Sequence, residues 1–128
     1  MNGHEHHDGL LRDLSLEYRE ILDGSDQGVY IYLDDLHKLC NTRFATLLGY
    51  RSPDEWARVE GSFPDAFVAV ESQEALIGAY QDALERSVGS TFPVVWKQQA
   101  GGSVKTTVIL VPIAHGGHVM ALHFVDEQ

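Results

Sequence analysis

Gly28-Val29-Tyr30-Ile31-Tyr32-Leu33, then Cys40-Asn41-Thr42-Arg43-Phe44-Ala45-Thr46-Leu47-Leu48-Gly49-Tyr50-Arg51-Ser52-Pro53-Asp54-Glu55, is the stretch whose reading decides the fold. The first run is β-branched and aromatic, which predicts a strand. Asp34-Asp35 turns the chain, and His37 to Cys40 predicts a short return strand. Asn41 or Thr42 then caps a helix through Leu48, because a side-chain oxygen accepts from an orphan helix N–H. Gly49 ends that helix, since glycine tolerates the left-handed conformation found there. Ser52-Pro53-Asp54-Glu55 restarts one, with Ser as N-cap, Pro in the first turn and Glu closing a capping box.

Working outward, residues 10–22 read as an amphipathic helix. Leu11, Leu14, Tyr18 and Ile21 recur at three- and four-residue steps, and Leu10 and Leu22 widen the stripe. The stripe has two uses, covering the chain's own sheet or forming a two-helix dimer seam. Residues 1–9 are polar and predict a tail without fixed structure. Its His4, His6 and His7 are metal-competent imidazoles. With nothing in sequence to orient them, they predict adventitious binding and no organised metal site.

Beyond Glu55 the chain predicts a loop with one helical turn over 61–70, broken by Pro64, and a longer helix from Ser72 to Arg86. Three strands follow, Phe92–Gln99, Val104–Ile113 and Val119–Val125, joined by turns at Ala100-Gly101-Gly102 and His115-Gly116-Gly117-His118. Alternation sets Thr106, Val108 and Leu110 on one face, matched with Met120, Leu122 and Phe124. The opposite set includes Ile109, Val111, Val119 and His123. It is also fairly apolar, so both faces of the sheet call for cover.

Composition bounds the function. A chain of 128 residues is one domain's worth. A net charge of −10 argues against a nucleic-acid partner, which would need Lys and Arg to neutralise phosphates. There is no apolar run of membrane-spanning length and no signal peptide. The single cysteine, Cys40, excludes an internal disulfide and agrees with a reducing, cytoplasmic setting. No nucleophile–base pairing, zinc spacing or phosphate-binding glycine loop is present.

Taken in order, these elements resemble a PAS domain, the small sensory module of signalling proteins, over roughly residues 16–127. The resemblance is carried by Asn41 ending the second strand, by Phe44 to Tyr50, by Ser52-Pro53-Asp54-Glu55, by Gly101-Gly102-Ser103, by Val111-Pro112-Ile113 and by Asp126. It implies an α+β fold, a five-stranded antiparallel sheet with helices on one face, over residues 27–128. The N-terminal helix and a linker would occupy residues 10–26. It further implies a cytoplasmic, bacterial-type sensory or protein-interaction module, a homodimer through Leu11, Leu14, Tyr18 and Ile21, and an effector protein as partner. Such a chain would be a piece of a larger receptor or a free-standing module acting in trans.

The resemblance also tests cofactors. Flavin sensors of this kind carry a cysteine on a helix after the Pro-Asp-Glu segment, whereas Cys40 lies on a predicted strand. The positions of their ring-holding amides fall here on Trp96, Thr106 and Phe124. Haem-binding members use a histidine on the longest helix, and none lies between His37 and His115. His115, His118 and His123 read as exposed structural histidines. Neither haem nor covalent flavin is expected. The inward face then offers Val94, Trp96, Thr106, Val108, Leu110, Met120, Leu122 and Phe124, opposed by Leu76, Ala79 and Tyr80. That set serves as filled core or as an apolar cup for an unknown small ligand. The competing class is the cone-shaped fold of ketosteroid isomerases and their non-catalytic relatives. Its proton-transfer candidates here are Tyr30, Tyr80, Asp34 and Asp35, the two acids being expected as a solvated turn pair.

Overall fold

The strands that open the quoted stretch lie in one sheet with the three that close the chain. β1 (Gly28–Asp34), β2 (His37–Cys40), β3 (Ser90–Lys97), β4 (Ser103–His115) and β5 (His118–Glu127) pair antiparallel in the order β2-β1-β5-β4-β3. This is the expected α+β sheet. A hairpin arriving ahead of the crossing helices is incorporated rather than set apart, which goes against the cone-fold reading. The computed structural model describes residues 3–128, with side chains from His7 onward.

Four helical segments connect β2 to β3, α3 (Thr42–Leu47), α4 (Pro53–Ala57), α5 (Phe63–Phe67) and α6 (Val70–Arg86), and α5 is the helical turn expected within 61–70. Asn41 caps α3 by accepting from Phe44 N at 3.0 Å. It also accepts from Val29 N at 2.9 Å and donates to Gln27 O at 3.0 Å, so one amide fixes the helix start to β1. Gly28 permits this close approach, because a Cβ would sit 3.2 Å from Phe44 Cα, tighter than ordinary contact. Ser52 Oγ accepts from Glu55 N at 3.0 Å, while the Glu55 carboxylate accepts from Arg51 N at 3.1 Å.

Two expectations about the crossing helices change. Pro64 does not break the 61–70 segment but sits in the first turn of α5, where its missing N–H costs nothing, behind a Ser62 cap. Ser72 does not cap the long helix, which starts two residues earlier. Its hydroxyl instead accepts from Val95 N at 2.9 Å and ties α6 to β3.

The N-terminal segment is longer and differently divided than predicted. α1 (Gly3–Glu17) begins within the stretch expected to be a tail, and α2 (Arg19–Gly24) restarts after Tyr18. Residues 1–2 and the side chains of His4 and His6 lie outside the described residues. Leu10 and Leu14 pack on the outer face of the sheet against Val29, Ile31, Met120 and Leu122. The inner face, under α3 to α6, holds an aromatic core of Tyr30, Phe44, Trp56, Phe63, Phe67 and Trp96. Both faces of the sheet therefore find cover, with one gap: Ile109, Val111 and Val119 stay partly exposed.

Candidate functional site

Strand register decides which residues can meet a ligand. Directly paired residues of antiparallel strands share a face. Leu110 pairs with His123 and Val108 with Val125, while Val111 pairs with Leu122 and Ile113 with Met120. The β5 residues facing the helices are thus Ala121, His123 and Val125. Met120, Leu122 and Phe124 belong to the opposite face, beneath α1. This corrects three of the expected pocket residues by one step of register, and it reverses the expectation that His123 points outward.

The rest of the expected pocket is mostly closed. Trp96 Nε1 donates to Thr106 Oγ1 at 2.8 Å, and that hydroxyl donates to Val94 O at 2.8 Å. Both side chains are fully buried, with Val94 and Val108 packed around them. Leu110 lies in a small cluster with Ala83 and Ala121. These five residues are filled core.

Space remains at the other end of the sheet, where α6 stands off from β1 and β5. A cleft of about 230 Å³ is lined by Tyr30, Tyr32, Phe63, Pro64, Leu76, Ile77, Tyr80, Gln81 and His123. Of the predicted pocket, Tyr80 lines it, as does Leu76 from the opposing helix. β1 delivers Tyr30 and Tyr32, β5 delivers His123, and the helical period of α6 delivers Leu76, Tyr80 and their neighbours. Tyr30 and Tyr32 were legible as strand residues, but only the β1–β5 pairing of Tyr30 with His123 places them here.

The cleft carries no fixed charge. Burial pushes the Tyr80 phenol up to about 12, with the nearby Asp34 charge adding to it. Burial raises Tyr32 further, helped by its donation to Asp35 Oδ1 at 2.9 Å. His123 is 1% exposed. Burial drives its pKa down to about 3 against the pull of the Tyr30 and Ala121 backbone, so the ring is neutral at pH 7. Its Nδ1 is buried without a hydrogen-bond partner among the described residues. Tyr80 Oη donates to Tyr32 O over 3.4 Å, and the two rings meet edge to face at 5.3 Å.

The acids of the first turn are engaged elsewhere rather than forming a solvated pair. Asp35 Oδ1 also accepts from Phe63 N at 2.8 Å, which anchors α5 to the hairpin. Asp34 contacts the rings of His7 and His37. Burial alone would raise its carboxyl. The histidine contacts and the Leu36 N–H outweigh burial and bring it down to about 2. Cys40 is buried in β2, and burial pushes its thiol up to about 12, which makes it a poor nucleophile. Its position on a strand is as expected. His115 is not free in its turn: Nδ1 meets Glu17 Oε2 of α1 at 2.6 Å.

Of the residues expected at a dimer seam, Leu14 is fully buried against the chain's own sheet, and Leu11 and Tyr18 are partly buried. Ile21 is exposed, and Leu16, outside the predicted stripe, is 71% exposed. No helix among the described residues is long and apolar enough to cross a membrane.

No protein-family model matches the chain. No curated protein matches it in sequence. Solved structures do match in shape. The PAS domain of an HTR-like protein from Haloarcula marismortui superposes over 97% of this chain and 99% of its own, at 16% identity and a TM-score of 0.63. A PAS domain from Colwellia psychrerythraea covers 91% of this chain and 98% of its own, at 17% identity and a TM-score of 0.65. The PAS domain of a LuxR-family transcriptional regulator from Burkholderia thailandensis, solved in complex with ethanol, covers 86% and 96%, at 12% identity and a TM-score of 0.62. Identities this low speak for the fold, and the strand order, the incorporated hairpin and the crossing helices agree with them: the chain has the PAS-domain fold.

Proposed function

We propose that this chain is a sensory and protein-interaction module of a signal-transduction system, read out through the packing of its N-terminal helices. The observation that carries the reading is the two-sided use of β1 and β5. Tyr30, Tyr32 and His123 face the cleft, while their immediate neighbours Val29, Ile31 and Leu122 lie under α1. A molecule that shifts either strand changes the bed on which α1 rests. Signalling then needs only two packings whose balance the ligand biases.

The cleft sets the ligand's chemistry. An engineered cavity of ~150 Å³ takes a benzene, so about 230 Å³ suits one ring with a few substituents. Neutral aromatic walls favour an uncharged, planar molecule, and the Tyr80 hydroxyl, held by a long 3.4 Å contact to Tyr32 O, gives it one polar point of attachment. A resident haem or covalent flavin is not part of this reading. α6 carries no histidine, and the one cysteine lies on β2 with a raised pKa.

Enzymatic proton transfer is also outside it, since Asp34 and Asp35 do not line the cleft and its phenols hold their protons. The dimeric, cytoplasmic state and an effector partner complete the reading. They are supported by the exposed apolar residues Leu16, Ile21, Ile109 and Val111 and by a single, buried cysteine.

The test is native mass spectrometry and an absorbance spectrum of freshly purified protein, followed by thermal shifts with small monocyclic aromatics. A bound small molecule, or a saturable shift lost in Tyr80→Phe, supports ligand sensing. A clean chain that answers to no compound would leave a docking module without a ligand.

A further inference from the structure

His7 lies on α1 and His37 opens β2, thirty positions apart, and both reach the same carboxylate. Nδ1 of His7 contacts Asp34 Oδ2. Nδ1 of His37 stands 2.8 Å and 3.0 Å from the two Asp34 oxygens. One nitrogen from each ring and one Asp34 oxygen all lie within 4.8 Å of one another. On its far side His37 presents Nε2 to Asp8 Oδ1 at 3.1 Å. His37 is almost wholly buried, so these contacts hold its ring in place.

We propose that His7, Asp34 and His37 form a binding site for a divalent transition metal of the zinc class, which fastens α1 to the β1–β2 hairpin. Two imidazoles and one carboxylate are a three-ligand set that leaves a fourth position for water. Imidazole nitrogens select against Mg²⁺ and Ca²⁺, which favour oxygen-only shells. Tetrahedral ligands at ~2.0–2.1 Å from zinc sit about 3.3 Å apart. The two ring–carboxylate contacts are already shorter than that and have to open slightly, while no pair of the trio, at most 4.8 Å apart, has to close by more than about 1.5 Å.

Asp8 supplies an independent argument. A carboxylate accepting from one ring nitrogen fixes the tautomer and turns the other lone pair toward the ion. In the metal-free chain Nδ1 donates to Asp34; with the ion bound, Asp8 at Nε2 would keep a proton there and leave the Nδ1 lone pair for the metal. The pairing joins neighbours on α1, since Asp8 follows His7 and both reach the same turn. The inference stands on this geometry and does not depend on a ligand in the aromatic cleft.

The full chain should be titrated with Zn²⁺ by calorimetry and with Co²⁺ by visible absorbance. One equivalent is expected, with the colour of four-coordinate Co²⁺ and a rise in thermal midpoint. His37→Ala and Asp34→Ala should each weaken binding by well over tenfold, and Asp8→Asn by about tenfold. His7→Ala is the decisive variant. Its side chain is one-third exposed, so the fold tolerates its loss while the Co²⁺ signal should vanish. The double variant His4→Ala with His6→Ala should bind as the parent does. Absence of saturable one-equivalent binding overturns the site. Binding that survives His7→Ala, or that disappears with His4 and His6, overturns it equally.

Discussion

The imidazole of His123 lies flat on the ring of Tyr30, with 4.0 Å between centroids and 9° between planes. The stack joins β1 to the central strand β5 on the helix-covered face, and Tyr30 is itself stacked on Phe44 at 4.8 Å. A charged imidazolium has no place there, so the folded chain keeps His123 neutral down to about pH 3. In the unfolded chain the same ring takes a proton below about pH 6.5.

Between those values the unfolded state binds more protons, so stability falls as the pH is lowered. The slope is up to about 1.4 kcal/mol per pH unit. His123→Phe keeps a flat ring and removes the titration. Urea midpoints at about pH 7.5 and about pH 5 should drop for the parent and stay nearly level for the variant. Equal drops would place the acid sensitivity elsewhere.

Asp34 works in a lower window. Its folded value of about 2 lies below the ordinary ~3.9 of an unfolded Asp. Its contribution is therefore complete above about pH 4 and is lost between about pH 4 and pH 2. Asp34→Asn should flatten unfolding curves in that range alone, and a change confined to higher pH would contradict the assignment.

The core bond between Trp96 and Thr106 predicts a sharper loss. Thr106→Val conserves volume but leaves the indole N–H buried without an acceptor, at a cost of about 1–3 kcal/mol. Chemical denaturation should show that shift with its slope unchanged. A neutral substitution would mean that the indole finds another acceptor.

Much of this was legible in the sequence because it is local. The caps at Asn41 and Ser52, the turn glycines and the five strands each follow from a few adjacent residues. Face assignment in β5 is not local. Its two faces are both apolar, so alternation cannot say which one turns inward, and only pairing with β1 and β4 does. The same limit hid the His7–Asp34–His37 cluster, whose members are unremarkable singly and meet through the docking of α1. Lys38 of β2 is hidden for a related reason: nothing local marks an inward lysine, and its ammonium reaches the carbonyls of Ala57 and Val59, far along the chain.

The stripe on α1 predicts two separable outcomes. Leu14 is buried among Val29, Ile31, Met120 and Leu122. Leu14→Ala should therefore cost about 2–5 kcal/mol of stability and release α1 from the sheet. Leu16→Glu with Ile109→Glu touches only exposed positions. It should turn the proposed dimer into a monomer in sedimentation while leaving the thermal midpoint within a few degrees. A dimer that persists in the double variant removes this surface from the interface.

Lys38 carries the last prediction. It is 4% exposed, yet among the described residues its hydrogen bonds go to no carboxylate. Instead Nζ donates to Asp35 O at 2.8 Å and to Ala57 O and Val59 O at 3.2 Å each. The ammonium also stands 5.7 Å from the ring centres of Trp56 and Phe67. One cation thus satisfies the end of α4, the segment after it and the first turn, while two aromatic faces stabilise its charge. Lys38→Met fills the same space but strands three carbonyls, and should cost about 2–4 kcal/mol. Hydrogen exchange should place the loss around residues 54–63, because the carbonyls of Ala57 and Val59 lie there. Uniform loosening of the whole chain, or no loss at all, would show that water takes over the role of the amine.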